Sequence, residues 1–221
     1  LSMDIEFRYV PKKILLCTTK DKSDNQLEKI GKRYHIDVFR GSGKNVLKRM
    51  MDGVKNYNHN IIVRVTGDDI LIDTKYMNTA INYLLENNLE YVDHKALPSG
   101  TETEIFDRNI LNLITNTADD LEGTEYLTNY IQDNKLYFKI GSAPVSIKHK
   151  SNLRLTIDTK NDFNFVRKFL IKMKKIGKNY NYNLDDIVNF YSKSINKKSL
   201  KKSGDHMLYK TSLSLNKYYK I

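Results

Sequence analysis

Cysteine is almost absent from this chain, since Cys17 is the single one among 221 residues. One cysteine excludes a disulfide framework within the chain, so the reducing cytoplasm is the expected compartment. Cys17 lies within the apolar stretch Ile14–Thr18, and we interpret it as a small buried hydrophobic residue. No apolar run reaches the roughly 20 residues that a membrane-spanning helix needs.

Zinc-site and P-loop motifs are also absent from the sequence. The five histidines show no metal-ligand spacing, and only His94, beside a proline-glycine loop, is a candidate site residue. The stretch Arg40–Lys44 partly resembles a P-loop, but Val38 stands where its first glycine belongs and Asn45 replaces the required Ser or Thr. We interpret it as a glycine turn into a helix, whose first backbone amides could still contact a ligand.

Acidic residues are scarce in the C-terminal quarter of the chain. From Arg167 onward, 14 Lys and Arg stand against 3 Asp and Glu, which accounts for the whole net charge of +11. A positive field confined to one helix and a tail is not a groove-shaped nucleic-acid surface. A solvated helix face and tail is the leading interpretation, with anionic substrates, a membrane surface or RNA as alternatives.

Strand and helix patterns alternate along most of the chain. Predicted strands are Ile14–Thr18, Ile36–Phe39, Ile61–Val65, Glu90–Asp93, Thr103–Phe106, Leu136–Ile140 and Leu153–Asp158. Predicted helices are Asp24–Tyr34, Asn45–Asn56, Lys75–Glu86, Arg108–Thr115, Glu125–Asp133, Asp162–Lys175 and Leu184–Ser194. This alternation predicts an α/β fold, with a mostly parallel, Rossmann-like sheet covered by helices on both faces.

The most informative stretch begins with the apolar run Ile61–Val65 and continues into Thr66-Gly67-Asp68-Asp69. A short β-branched run is typical of a buried parallel strand, which delivers the residues after it to the sheet edge where ligands bind. The aspartates could instead belong to a polar loop that caps the next helix. Asp73 or Thr74 is better placed for capping, and Gly67 permits close approach of the backbone to a ligand.

A second stretch, Leu153–Ile157, repeats this arrangement and ends on Asp158. Asp158 could cap the long helix that follows, although Thr159 or Asn161 could take that role instead. Two carboxylates, Asp68 and Asp158, that converge at one sheet edge can hold Mg2+ against a nucleotide triphosphate.

Glu102 and Glu104 occupy alternate positions of a predicted strand, so their side chains lie on one face. A solvent-facing edge strand explains this spacing. A pair of acceptors for sugar hydroxyls explains it equally well.

Five short motifs, in order, resemble those of the cytidylyltransferases of surface-polysaccharide biosynthesis. The nearest type is the spore-coat polysaccharide one, which is related to acylneuraminate and 3-deoxy-manno-octulosonate cytidylyltransferases. The motifs are Val38-Phe-Arg-Gly-Ser, Val46-Leu-Lys-Arg, Val63-Arg-Val-Thr-Gly-Asp, Pro98-Ser-Gly-Thr-Glu-Thr-Glu-Ile-Phe and Leu153-Arg-Leu-Thr-Ile-Asp-Thr. The similar region runs from about Lys12 to Lys175.

This resemblance implies Mg2+-dependent transfer of a cytidylyl group from CTP to a sugar, sugar acid or polyol phosphate, by a protein expected to be a homodimer. It implies Mg2+ ligands at Asp68 and Asp158. The residues expected near the nucleotide are Arg40, Gly41, Ser42, Thr66 and Gly67, and those in the acceptor pocket are Gly100, Glu102, Glu104 and Glu125. A nucleotidyltransferase-like domain is expected over residues 1–178, with a basic helical extension over residues 179–221.

The sequence departs from the family pattern in three places. The family usually has aspartate where Glu102 stands, and Glu-His-Val-Thr where this chain has Glu125-Tyr-Leu-Thr. Its members also begin with a strand, a loop and a helix that together grip the triphosphate, and this chain begins at the end of that helix. We therefore expect the chain to be incomplete, lacking a central strand between Ile14–Thr18 and Ile61–Val65.

Two other functions are compatible with the sequence. One is a non-catalytic nucleotidyltransferase-like domain of a larger capsule or lipopolysaccharide biosynthesis protein. The other is a transferase that donates a sugar from a nucleotide-sugar. Such enzymes commonly carry Asp-x-Asp, whereas Asp68 and Asp69 are adjacent, which makes this third interpretation the weakest.

Overall fold

The computed structural model of the protein describes residues 13–117 and 127–194. The strands of this part are β1 Leu15–Thr19, β2 Asp37–Gly41, β3 Ile61–Arg64, β4 Tyr91–Asp93, β5 Glu104–Asp107 and β6 Ile140–Ser142. Its helices are α1 Asn25–Arg33, α2 Val46–Val54, α3 Thr74–Glu86, α4 Arg108–Thr117, α5 Leu127–Asp133, α6 Lys160–Lys175 and α7 Leu184–Ser194. Within these two stretches, the helices are too short or too polar to cross a bilayer.

The strands form two sheets, which confirms the predicted α/β class. β1 and β2 are parallel, with Leu15 opposite Asp37 and Thr19 opposite Gly41. The other sheet has the strand order β3-β5-β4-β6. In the described part of the chain, β1 and β3 are therefore each the terminal strand of a sheet.

Among the described residues, two compact units divide the chain. The first unit contains residues 63–105 and 141–194, and the second contains residues 13–62, 106–117 and 127–140. The core of the first unit takes side chains from both C-terminal helices: Val166, Phe169 and Met173 of α6, and Leu184 and Ile187 of α7. Up to residue 194, the predicted extension is thus a packed part of this unit. In the second unit, fully buried side chains come from α2, α4 and α5, among them Leu47, Ile110, Leu111, Ile114 and Ile131.

Two helix caps decide the alternatives that the sequence leaves open. Asp73 caps α3, because its Oδ1 accepts hydrogen bonds from the backbone amides of Lys75 (2.9 Å) and Tyr76 (3.1 Å). Thr159 caps α6 in a capping box with Asp162. Asp68, Asp69 and Asp158 are therefore not needed as helix caps.

Two predicted strands differ from the structure. The prediction Leu136–Ile140 is wrong in position, because the strand begins only at Ile140 and the side chain of Leu136 is 91% exposed in a turn. The prediction Leu153–Asp158 is wrong as a regular strand, since this segment forms one isolated bridge, between Arg154 and Ser99. Its neighbours on either side are loops, so no ladder can continue along it.

Candidate functional site

Three loops of the first unit meet at one place, which we call the three-loop site. They are the turn 66–69 after β3, the loop 97–102 between β4 and β5, and the segment 153–158 before α6. All three carry polar residues that the sequence analysis selects, and backbone hydrogen bonds hold them together.

The segment 153–158 lies between the other two loops. On one side, the Leu155 amide donates to the Ser99 carbonyl over 2.7 Å. On the other side, the Ile157 amide donates to the Asp68 carbonyl over 3.1 Å. Asp158 follows Ile157 directly, so its backbone lies near that of Asp68. The role of the two carboxylates as metal ligands stays a prediction.

The turn after β3 gives its two aspartates different surroundings. The Asp69 amide donates to the Thr66 carbonyl over 3.2 Å, and the Thr66 hydroxyl donates to the Asp69 carboxylate. The other carboxylate oxygen of Asp69 is buried and has no hydrogen-bond partner among the described residues. Burial raises the pKa of Asp69, and the neighbouring charge of Asp68 raises it further. Asp69 thus closes the turn.

Asp68 is half-buried, and its carboxylate makes no hydrogen bond or ion pair with the residues that the structure describes. Asp158 is more exposed and has partners. Its Oδ2 forms an ion pair with Arg154 and accepts a hydrogen bond from the Thr156 hydroxyl at 3.1 Å. Both of these contacts are to Oδ2 of Asp158, so its Oδ1 is left for a ligand. The carboxylate of Asp68 can offer both of its oxygens, as far as the described residues are concerned.

These donors fit Mg2+, although no cluster of three or more metal-ligating side chains occurs within residues 13–117 and 127–194. Mg2+ is usually bound through one or two carboxylates, with substrate phosphates and water completing its octahedral shell. Asp68 and Asp158 would supply the two carboxylates. The ion pair of Asp158 with Arg154 leaves this carboxylate available through Oδ1.

Gly100 is required by the packing of the loop 97–102. Its φ is +92°, and a Cβ at this position would lie 2.7 Å from the Thr156 amide nitrogen and 2.8 Å from the Leu155 carbonyl carbon. Only glycine permits this conformation and this approach without strain. Gly100 therefore sets the distance between this loop and the segment that carries Asp158.

Glu102 holds the same loop from inside. Its Oε2 accepts hydrogen bonds from the backbone amides of Gly100 (2.7 Å) and Thr101 (3.0 Å). Burial raises the pKa of Glu102, while these amide donors act in the opposite direction. Its place in the acceptor pocket stays a prediction.

Glu104 is part of a buried ion pair that the sequence analysis missed. It pairs with Arg64 of β3, and the two side chains are 14% and 13% exposed. The Tyr91 hydroxyl donates to Glu104 Oε1 over 3.2 Å. The signal available in the sequence was an arginine within the apolar run Ile61–Val65, which needs a buried counter-charge. A role for Glu104 in acceptor binding stays a prediction.

The predicted nucleotide loop Arg40–Ser42 belongs to the second unit and is fixed by contacts within it. The Arg40 guanidinium donates to the Thr19 carbonyl (2.8 Å), the Asn25 side chain (2.7 Å) and Glu28 (3.2 Å). A Cβ on Gly41 would lie 2.8 Å from the Phe39 ring, and Ser42 Oγ accepts the Asn45 amide at 3.1 Å. Nucleotide contacts at this loop stay a prediction.

Glu125 and His94 are the two remaining candidate site residues from the sequence. Glu125 lies outside the described residues. His94 is 2% exposed, and neither ring nitrogen has a hydrogen-bond partner in the described part of the chain. The Tyr76 ring packs edge-on at 5.3 Å, and burial lowers the pKa of His94 to about 4, so the imidazole is neutral at pH 7.

Ligands of open α/β sheets bind at the carboxyl ends of the strands, and the turn that carries Asp68 lies at such an end, after β3. The particular family follows from sequence. Residues 9–203 match the sequence profile of the cytidylyltransferases, and this chain belongs to that family. The resemblance stated from the five motifs is thereby confirmed.

Two curated proteins are similar to this chain over most of its length. An uncharacterized protein of Methanocaldococcus jannaschii, MJ1063, is 32% identical over 82% of this chain and 73% of its own length. The spore coat polysaccharide biosynthesis protein SpsF of Bacillus subtilis is 25% identical over 70% of this chain and 65% of its own.

Solved structures share the fold. A cytidylyltransferase from Leptospira borgpetersenii has a TM-score of 0.74 and 28% identity, covering 85% of this chain and 80% of that one. A CMP:2-keto-3-deoxy-manno-octonic acid synthetase complexed with CTP has a TM-score of 0.54 at 10% identity, covering 72% of this chain and 81% of that one. The second likeness concerns the fold alone.

Proposed function

We propose that this protein transfers a cytidylyl group from CTP to a sugar, sugar acid or polyol phosphate and releases pyrophosphate. Family membership supports the cytidylyl transfer, and the similarity to SpsF supports a product used in polysaccharide biosynthesis. The observation that carries the proposal is the carboxylate of Asp68, which has no partner within residues 13–117 and 127–194. The backbone carbonyl of Asp68 accepts the amide of Ile157, directly before Asp158.

The proposed reaction forms one bond and breaks one bond. An oxygen of the acceptor attacks the α-phosphorus of CTP, and the bond from this phosphorus to the pyrophosphate oxygen breaks in line with the attack. Asp68 and Asp158 would hold Mg2+, which, when bound, supplies positive charge against the phosphate oxygens. The chain contributes mainly fixed positions and electrostatic stabilisation, because phosphoryl chemistry needs little covalent help from protein groups.

The turn 66–69 leaves room for a ligand beside Gly67. Gly67 is exposed, and a Cβ built on it would meet nothing within 4 Å. This position therefore has open space where a side chain would otherwise project. In the proposed complex, a phosphate or ribose oxygen approaches the turn here, next to Asp68.

Three expectations extend the proposal. We place the protein in the cytoplasm, because its single cysteine suits a reducing compartment. We expect CTP and a small sugar-type acceptor as its partners in solution. A homodimer is expected from the resemblance to the family.

The direct test is pyrophosphate release from CTP and Mg2+ with a panel of sugar acids, sugar phosphates and polyol phosphates. The wild-type protein should release pyrophosphate with at least one acceptor, and Asp68→Asn should abolish most of this release while unfolding at the wild-type temperature. The control is Asp52→Asn, which removes an exposed carboxylate of α2 that pairs with Lys48. Full turnover in a folded Asp68→Asn protein would contradict the assignment of Asp68.

The alternative is a cytidylyltransferase-like domain that binds a nucleotide without catalysis. The ion pair between Arg154 and Asp158 favours it, because a guanidinium already occupies one oxygen of the second carboxylate. The same assay discriminates the two functions. CTP binding without pyrophosphate release, for every acceptor on the panel, would support the alternative.

A further inference from the structure

The outer face of α6 has a composition that catalysis does not explain. The exposed residues of this helix are Lys160, Asn161, Phe163, Arg167, Lys168, Ile171, Lys172, Lys174 and Lys175. Six are cations and none is an acid. We call this set the α6 face.

The cations of the α6 face are not neutralised by the helix or by its neighbour α7. Asp162 is the one acid of α6, and it is held by Thr159 and Arg154 at the start of the helix. Asp185 and Asp186 of α7 pair with Lys148 and Lys178, respectively. None of the six cations forms an ion pair with another residue of the described stretches. Their charge is therefore directed to solvent.

Apolar side chains lie within this basic face. Phe163 is 54% exposed and Ile171 is 46% exposed. They are eight positions apart, which places them on one side of the helix about 12 Å from each other at a rise of 1.5 Å per residue. Directly after the helix, Ile176 is 48% exposed and Tyr180 is 89% exposed. The opposite side of α6 is the buried one, through Val166, Phe169 and Met173.

We propose that the α6 face docks the protein on an anionic membrane surface. Basic side chains interleaved with aromatic and aliphatic ones are the composition of helices that lie in the headgroup region. The cations attract anionic lipid headgroups, and Phe163 and Ile171 enter the boundary between the headgroups and the acyl chains. The rest of the protein remains on the aqueous side, because the apolar side of α6 is already buried in the core of its unit.

Other occupants fit this face less well. A second copy would bring six cations against six cations in a symmetric contact. Residues 195–221 contain seven Lys and one Asp, so their charge does not complement that of this face. The charge of this face would also attract a nucleic acid. Contact with phosphates does not stabilise exposed isoleucine side chains, whereas transfer from water into a bilayer does.

The proposal is tested by sedimenting the full-length protein with vesicles of phosphatidylcholine alone or mixed with phosphatidylglycerol. We expect binding to the mixed vesicles only, with a loss in high salt because screening weakens the attraction. The charge variant is Arg167→Gln with Lys168→Gln and Lys175→Gln. This variant should bind the mixed vesicles roughly a hundredfold more weakly than wild type, because each of the three cations removed should weaken binding about fivefold. The control variant loses the same charge from exposed positions of the second unit, through Lys20→Gln, Lys29→Gln and Lys55→Gln, and should change binding far less.

A second variant separates insertion from simple charge attraction. Phe163→Ser with Ile171→Ser keeps all the cations, and it should still weaken binding to the mixed vesicles. Equal binding of wild type and both α6 variants, equal binding to neutral vesicles, or no binding to either vesicle would overturn the proposal. The proposal would also be overturned if the wild-type protein bound polyuridylate but not vesicles, and if the charge variant lost this binding to polyuridylate. All α6 variants should keep the wild-type rate of pyrophosphate release, which separates this proposal from the proposed catalytic function.

Discussion

Ile157 donates its backbone amide to the carbonyl of Asp68 across 3.1 Å, which joins two segments far apart in the sequence. Because Asp158 is the next residue, this hydrogen bond fixes the position of its backbone relative to Asp68. On the other side of the same segment, the loop 97–102 packs against Leu155 and Thr156. The position of the second carboxylate therefore depends on two backbone contacts, and both can be disturbed without changing either aspartate.

Replacing Gly100 with alanine should displace the segment that carries Asp158. The new Cβ would have to fit 2.7 Å from the Thr156 amide nitrogen at a φ of +92°, so we expect a loss of about 1–3 kcal/mol in the free energy of unfolding. Urea denaturation measures this loss. Pyrophosphate release should also fall in the folded variant, because the segment before Asp158 shifts.

The matched control is Gly43→Ala, since a Cβ there meets nothing within 4 Å and its φ is not in the left-handed region. This variant should unfold at the wild-type urea concentration or above it, because alanine restricts the unfolded chain. Equal stability of the Gly100 and Gly43 variants would show that the loop does not pack as described.

The ion pair between Arg64 and Glu104 should be strongly coupled. Glu104→Gln removes the carboxylate charge that pairs with the nearly buried Arg64 guanidinium, so we expect a loss of about 3 kcal/mol in the free energy of unfolding. Removing both charges, with Arg64→Met and Glu104→Gln, should restore much of this loss. A double-mutant cycle by urea denaturation measures the coupling, and strictly additive losses would contradict a direct pair.

The hydrogen bonds to Asp24 should make the second unit sensitive to acid. Its Oδ2 accepts from the Thr18 hydroxyl (2.7 Å) and the Thr19 amide (2.9 Å), and these donors lower the pKa of Asp24 to about 2. A lowered pKa adds stability that is complete above the unfolded-state pKa of 3.8 and is lost as the pH falls towards about 2.

Asp24→Asn should therefore lose less stability than wild type when the pH is lowered from about 4 to about 2. Urea denaturation at several pH values across this window checks the difference between the two proteins. Gly43→Ala, which leaves every carboxylate in place, serves as the control and should run parallel to wild type. Parallel curves for wild type and Asp24→Asn would contradict the role of these hydrogen bonds.

The periodic elements could be predicted because their sequence patterns are local. The structure has α3 at Thr74–Glu86 and α7 at Leu184–Ser194, as the apolar spacing indicates. The segment before Asp158 has the composition of a strand, but strand formation needs a neighbouring strand as well. Its neighbours here are two loops, and no local signal reports that.

The sequence predicted which backbone segments meet at the three-loop site, but not which side chains pair there. Sheet topology predicts that the turn after β3 and the segment before α6 meet, and the bond from Ile157 to Asp68 confirms this meeting. Which cation pairs with which carboxylate depends on side-chain directions that only the folded chain defines. The partners Arg154 of Asp158 and Arg64 of Glu104 were missed for this reason.

The proposed mechanism requires Asp68 and Asp158 together to hold the metal against the triphosphate. Ligand-induced stabilisation tests it without knowledge of the acceptor, because any ligand that binds the folded state raises the melting temperature. The measurement is the melting temperature of wild type and of Asp68→Asn/Asp158→Asn, each alone, with CTP, with Mg2+ and with both. We expect a rise for wild type that needs CTP and Mg2+ together and is absent from the double variant. An equal rise in the double variant would contradict it.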